Sequence, residues 1–135
     1  MTWKRPARPT GIVRCLPYFG AQTASDEAMN KAYERMMAAL KALETGKRDT
    51  LYIALAKKPT VEVLHCYLLV EGKIIVRANI SHFEKHKGRP VKSWDGRDLT
   101  PAWWAVLTAP VSWPEEPIRR RGFQGFRYTD QEQLW

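Results

Sequence analysis

A chain of 135 residues has room for one domain and excludes two independent catalytic domains, because a domain usually takes roughly 100 to 200 residues. Hydrophobic residues make up 44 % of it, with six Trp, five Tyr and four Phe, so it can build a core and is no disordered tail. Lys and Arg number 22 against 14 Asp and Glu, a formal charge of +8 that favours phosphate-bearing or otherwise acidic partners without choosing among nucleic acid, anionic membrane and acidic protein.

No run approaches the roughly 18 to 20 apolar residues that a membrane-spanning helix needs. Met1 to Pro9 is basic and Pro-interrupted, with no apolar signal core behind it. The expectation is a cytoplasmic protein that does not enter the membrane. Cys15 and Cys66 are too few for a disulfide scaffold and suit a reducing compartment.

Residues 1–10 read as a basic arm, with Lys4, Arg5 and Arg8 and no acid, leading into a single domain over 11–135. Gly11 to Leu16 reads as a short strand. Between Ser25 and Thr45, Met29, Tyr33, Met36, Leu40 and Leu43 recur every three or four residues, the period of an amphipathic helix. Ser25 suits its N-cap, Asp26 and Glu27 complement the positive end of its dipole, and Gly46 falls where a left-handed cap would close it. Thr50 to Ala56, Val61 to Val70 and Lys73 to Ile80 then read as three strands in a meander, the last two joined by a hairpin at Glu71-Gly72. Lys85 to Arg97 is a basic polar loop. Thr100-Pro101 predicts a helical turn before a strand ending near Val111, and Gly122 to Tyr128 reads as a Gly-punctuated aromatic strand. The fold class expected is α+β, with one long amphipathic helix and a small antiparallel or mixed sheet that curls, either open or closed into a barrel.

Leu43-Glu44-Thr45-Gly46-Lys47-Arg48, then Leu51-Tyr52-Ile53-Ala54 running into Lys57-Lys58-Pro59, and the ending Gly125-Phe126-Arg127-Tyr128, resemble the ASCH branch of the PUA-like superfamily. In that family a helix ends in a Gly-Lys turn and a Tyr-Ile-x-Ala strand precedes a Lys-Pro corner. The resemblance implies a PUA-like barrel that binds RNA or modified DNA, and in some ASCH-like members a small hydrolase. The family signature continues to a Glu and an Arg after Gly-x-Lys. Gly46-Lys47-Arg48-Asp49-Thr50-Leu51 supplies neither the downstream Glu nor the downstream Arg of that signature.

The densest chemistry is near the end of the chain: Trp113, Arg119, Arg120, Arg121, Phe123, Phe126, Arg127 and Tyr128. Guanidinium groups grip phosphates bidentately, and aromatic faces stack on bases at about 1–3 kcal/mol each. The same aromatics can equally be core. Lys47 and Arg48 either compensate the helix dipole or touch ligand, and Arg77, inside a strand, points to one face of the sheet. His82 and His86 have the spacing of a zinc pair, but His65 and Cys66 alternate across a strand. No metal or other cofactor is expected, and Cys66 reads as a small buried apolar residue. No phosphate loop, nucleophile elbow or paired-carboxylate motif marks an enzyme. Trp94 and Trp135 would be interface anchors if exposed.

The reading that follows is a nucleic-acid-binding domain for RNA or for single-stranded or modified DNA. Lys47, Arg48, Arg77, Arg119, Arg120, Arg121 and Arg127 would hold phosphates, and Trp113, Phe123 and Tyr128 would stack on bases. The alternative is a non-enzymatic interaction or inhibitor protein of phage or mobile-element type, docking on an acidic partner. The third is an ASCH-like hydrolase.

Overall fold

A computed structural model describes residues 4–15, 26–70, 72–94, 97–123 and 125–135, with the backbone alone for 26–32. The expectations at Leu16, at the Ser25 cap, at Glu71, at Asp95 and for the side chains of Asp26, Glu27 and Met29 lie outside the described residues.

Nine strands and one helix follow the order β1 Gly11–Cys15, α1 Asp26–Glu44, β2 Leu51–Leu55, β3 His65–Val70, β4 Lys73–Lys85, β5 Val91–Lys92, β6 Asp98–Leu99, β7 Trp103–Ser112, β8 Ile118–Arg119 and β9 Phe126–Thr129 among the described residues. Seven strands make one mixed sheet in the order β2-β7-β4-β3-β1-β9, with β8 on the side of β4, and β5-β6 is a separate hairpin. The fold is therefore α+β with a curled sheet. Its helix is shorter than the long element expected, 19 residues against seven strands. The Thr45 and Arg48 amides donate back to Lys41 and Ala42, and Gly46 takes φ 79°, which stops the helix without the strain that a Cβ would add there.

Three strand expectations are corrected. β2 is not in a meander with β3, because β7 and β4 lie between them. Residues 61–64 are irregular, so β3 starts at His65, while β4 runs on to Lys85. No helical turn precedes β7: Trp103 already pairs with Leu55 on one side and Lys85 on the other, and two ladders outweigh the local cap signal at Thr100-Pro101. The β3-β4 hairpin is as expected, with Gly72 at φ 74°. Within the basic loop expected over 85–97, β5 opens a two-residue ladder with β6, below the length that alternation reveals.

β4 bends to serve two neighbours. Its first half pairs with β3 and its second with β7, with register shifts at Ala78/Asn79 and Ile80/His82. The first shift lets Ala109 and Pro110 drop out of the β7 ladder, where a proline could donate no hydrogen bond. The curl puts Ile12, Cys66, Leu68, Val76, Ile53 and Leu107 in one core, into which the helix sends Met36, Leu40 and Leu43. On the outer face Val13, Tyr67, Leu69 and Ile74 form a second cluster, covered by Ile118, Phe123, Leu134 and Trp135. Trp94 is buried and Trp135 half-buried, so neither stands out as a free anchor.

β1 lies parallel to β3, and Gly11 is what allows it to approach. A Cβ there would sit 2.9 Å from the His65 carbonyl oxygen and 3.0 Å from Tyr67 Cε2. Because the first obstacle is backbone, Gly11→Ala is expected to cost about 1–3 kcal/mol. A urea unfolding curve with an unshifted midpoint would refute that close approach.

Candidate nucleic-acid interface

The two ends of the sheet, β2 and β9, face each other across a seam that no backbone ladder closes among the described residues. Side chains bridge it instead. Arg14, pointing inward from β1, donates from Nε to the Ala54 carbonyl of β2 at 3.3 Å and from Nη1 to the Gly125 carbonyl beside β9 at 3.3 Å and its neighbour Cys15 carbonyl at 2.6 Å. Gly125 turns its carbonyl there at φ 74°. Further along, the Thr60 amide donates to the Tyr128 hydroxyl oxygen at 3.0 Å, and the two hydroxyls lie 3.3 Å apart. Burial would raise the Tyr128 phenol, but the Thr60 hydrogen bonds and the charge of Arg5 outweigh it and hold the phenol below its ordinary value.

Cations sit over rings at this seam and, next to it, at the start of β7. Arg5 lies 4.5 Å from the centre of the Tyr128 ring, Lys57 5.9 Å from that of Phe126 and Lys58 5.6 Å from that of Trp103. Phe126 and Tyr128 meet edge to face at 5.4 Å. None of these three cations has a carboxylate within ion-pair distance among the described residues, where the ion pairs are His82–Glu84 and Lys92–Asp98. The corner after β2 and the strand β9 thus form one basic and aromatic belt. The basic arm is part of it: besides Arg5, the Lys4 carbonyl accepts from Gln133 Nε2 and the Thr10 amide donates to Thr129.

The residues expected to form one groove are divided by the sheet. On β9, Tyr128 shares the inner face with Ile12, whereas Arg127 shares the outer face with Val13. Arg127 lies over Phe123, 4.8 Å from its ring centre, and Phe123 packs into the outer cluster. Arg77 is half-buried on that same face and donates to the main-chain oxygen of Trp135 at 2.7 Å, beside Tyr67, which donates to it at 2.6 Å. Arg119, Arg120 and Arg121 lie at the β3-β4 turn, where the Arg120 amide donates to Gly72. Arg119 and Arg121 are exposed. Lys47 is exposed after α1, and Arg48 turns back to the Thr50 carbonyl at 2.9 Å. Trp113 donates to Glu44 Oε2 at 2.7 Å, tying β7 to the helix end.

Arg5, Arg14, Lys57, Lys58 and Trp103 were missed as site residues. Two sequence signals touched them: Arg5 lies in the basic arm, and the Lys57-Lys58-Pro59 corner puts two adjacent lysines before a proline, just past the end of β2.

The histidines do other work. His82 Nε2 lies 2.7 Å from Glu84 Oε1, to which Tyr52 also donates, and His86 Nδ1 accepts from Trp104 Nε1 at 3.1 Å. No group of three or more metal-ligating side chains occurs among the described residues. His65 is held below its ordinary value by burial and by Arg77.

Cys66 is completely buried, and burial pushes its thiol up to about 12, with the Arg14 charge pulling the other way. In the unfolded chain it ionises near its ordinary 9.0. The stabilisation from keeping it neutral is whole below pH 9 and is lost as pH rises toward 12, at up to about 1.4 kcal/mol per pH unit. Iodoacetamide at pH 8 is expected to label the half-exposed Cys15 and to reach Cys66 only in urea. Equal native labelling of both would refute the buried assignment.

No helix of the described residues is long and apolar enough to cross a membrane. Comparison with protein-family models and with curated proteins finds no match to this chain.

Proposed function

We propose that this chain is a nucleic-acid-binding domain that takes single-stranded RNA or DNA along the seam between β2 and β9. The observation that carries the reading is the belt of Arg5–Tyr128, Lys57–Phe126 and Lys58–Trp103 pairs, cations over half-buried rings with no carboxylate beside them among the described residues. A cation already over a ring can turn to a phosphate and leave the ring face to a base, and stacking of that kind tolerates any sequence. Arg127 over Phe123 repeats the pairing on the outer face of β9, and the exposed Arg119 and Arg121 widen the positive surface. The curled sheet with one helix against its core is compatible with the PUA-like resemblance, which points to the same class of ligand. The functions of Lys47, Arg48, Arg77 and Trp113 in this reading are structural, since each is spent on holding an element end or lies away from the seam.

The test is a titration of tryptophan emission with short single-stranded RNA, single-stranded DNA and duplex DNA at two salt concentrations. Saturable quenching by a single strand is expected, with affinity falling with salt at a log–log slope of about −3 if four cations are engaged, at about −0.7 per phosphate. No response to any of the three would end the reading and leave the charge as a docking surface for an acidic protein.

A further inference from the structure

We propose that Arg14 is a phosphate anchor set into the seam: its Nη2 edge donates to one anionic phosphate oxygen, beside the ring of Phe126. The inference rests on the nucleic-acid reading and gives it a specific point of attachment. Arg14 stands inside the curl, largely shielded from water, and burial holds its guanidinium below its ordinary value. A charge in that position normally finds a carboxylate, because an uncompensated buried ion is costly. Arg14 has none among the described residues: its three hydrogen bonds all go to main-chain carbonyls, Ala54, Cys15 and Gly125.

Those three bonds use Nε and Nη1 only. Nη2 donates to nothing among the described residues, and it is not among the buried polar atoms left without a partner, so it remains reachable from outside. A planar guanidinium fixed at Nε and Nη1 cannot swing, so the direction of its remaining N–H groups is set before any ligand arrives. Arg14 and Phe126 are cross-strand partners on the same face, and Lys57 lies over that ring. An ammonium, an aromatic face and the free edge of a guanidinium therefore meet at one point of the seam. That is the chemistry for one nucleotide unit, phosphate on Arg14 and base against Phe126. The phosphate would also supply the counter-charge that the described residues do not provide.

The shared chemistry is a phosphate group, which a nucleic-acid backbone or a free phosphate could bring, and the experiment separates them. Thermal unfolding of the full chain is followed in inorganic phosphate and in chloride at equal ionic strength, and single-stranded DNA binding is measured across salt. The proteins are wild type, Arg14→Lys, Arg14→Gln and Lys73→Gln, an exposed control on β4. Lys keeps the charge but not the planar fork, so it covers the case in which Gln fails to fold. Expected are a phosphate-specific rise in Tm for wild type and Lys73→Gln that is absent in Arg14→Lys. Single-strand affinity should drop about tenfold in Arg14→Lys, the scale of one charge-assisted hydrogen bond. A phosphate effect that depends on Arg14 while oligonucleotides fail to bind would support the anchor and refute the nucleic-acid reading. Unaltered oligonucleotide affinity and phosphate response in Arg14→Lys would overturn the anchor and leave that reading standing. A wild type that responds to neither ligand overturns both.

Discussion

Replacing Trp104 with alanine will lower the unfolding free energy by about 3–5 kcal/mol, the cost of removing a fully enclosed large aromatic. Trp104 is 1 % exposed near the start of β7, between β2 and β4. The Tyr52 ring meets it edge-on at 5.7 Å, and its indole N–H is the donor to His86 Nδ1 at 3.1 Å. Alanine leaves both a cavity and an imidazole with no hydrogen bond, since His86 Nε2 is buried without a partner among the described residues. Urea denaturation reads the loss as a lower midpoint at an unchanged slope. A change below about 1 kcal/mol would mean that β7 is not the middle of the sheet.

The second large effect is on binding. Lys57→Ala with Lys58→Ala will weaken single-strand affinity at least about tenfold at low salt and flatten the salt slope by about 1.4, two phosphates' worth. Both lysines are exposed and lie outside any strand, so stability should stay within about 0.5 kcal/mol. Removing Arg119 and Arg121 together should cost less, because neither lies over an aromatic ring among the described pairs. The reverse ranking would move the interface from the seam to the β3-β4 turn.

What was legible in the sequence is what local periodicity carries. The helix face of Met36, Leu40 and Leu43 points into the core, though Tyr33, set on that face by the same spacing, is 43 % exposed, and the turn at Gly72 joins β3 to β4 as a positive-φ glycine requires. Long-range order was not legible. Nothing near Leu51 announces that its partner is Leu107, and a meander is simply the shortest connection. The site suffered for the same reason. Basic and aromatic residues cluster near the end of the chain, yet alternation along β9 sends Arg127 and Tyr128 to opposite faces. The partners that join Phe126 and Tyr128 come from residues 5, 14 and 57–60, distant in sequence and brought near only by the curl. Arg14 stands in the sequence as one basic residue of a short strand, with no local sign that it is buried. Its burial depends on the other end of the sheet coming round to offer the Ala54 carbonyl.

The seam is tested most directly by mapping a short single-stranded oligonucleotide onto the labelled protein by NMR, with backbone amide and arginine side-chain signals followed through the titration. The account predicts shifts at Arg14, Lys57, Lys58, Phe126 and Tyr128, with the Arg14 side-chain resonance among the largest. Shifts confined to 119–121 and the β3-β4 turn, or none at low salt, would contradict it.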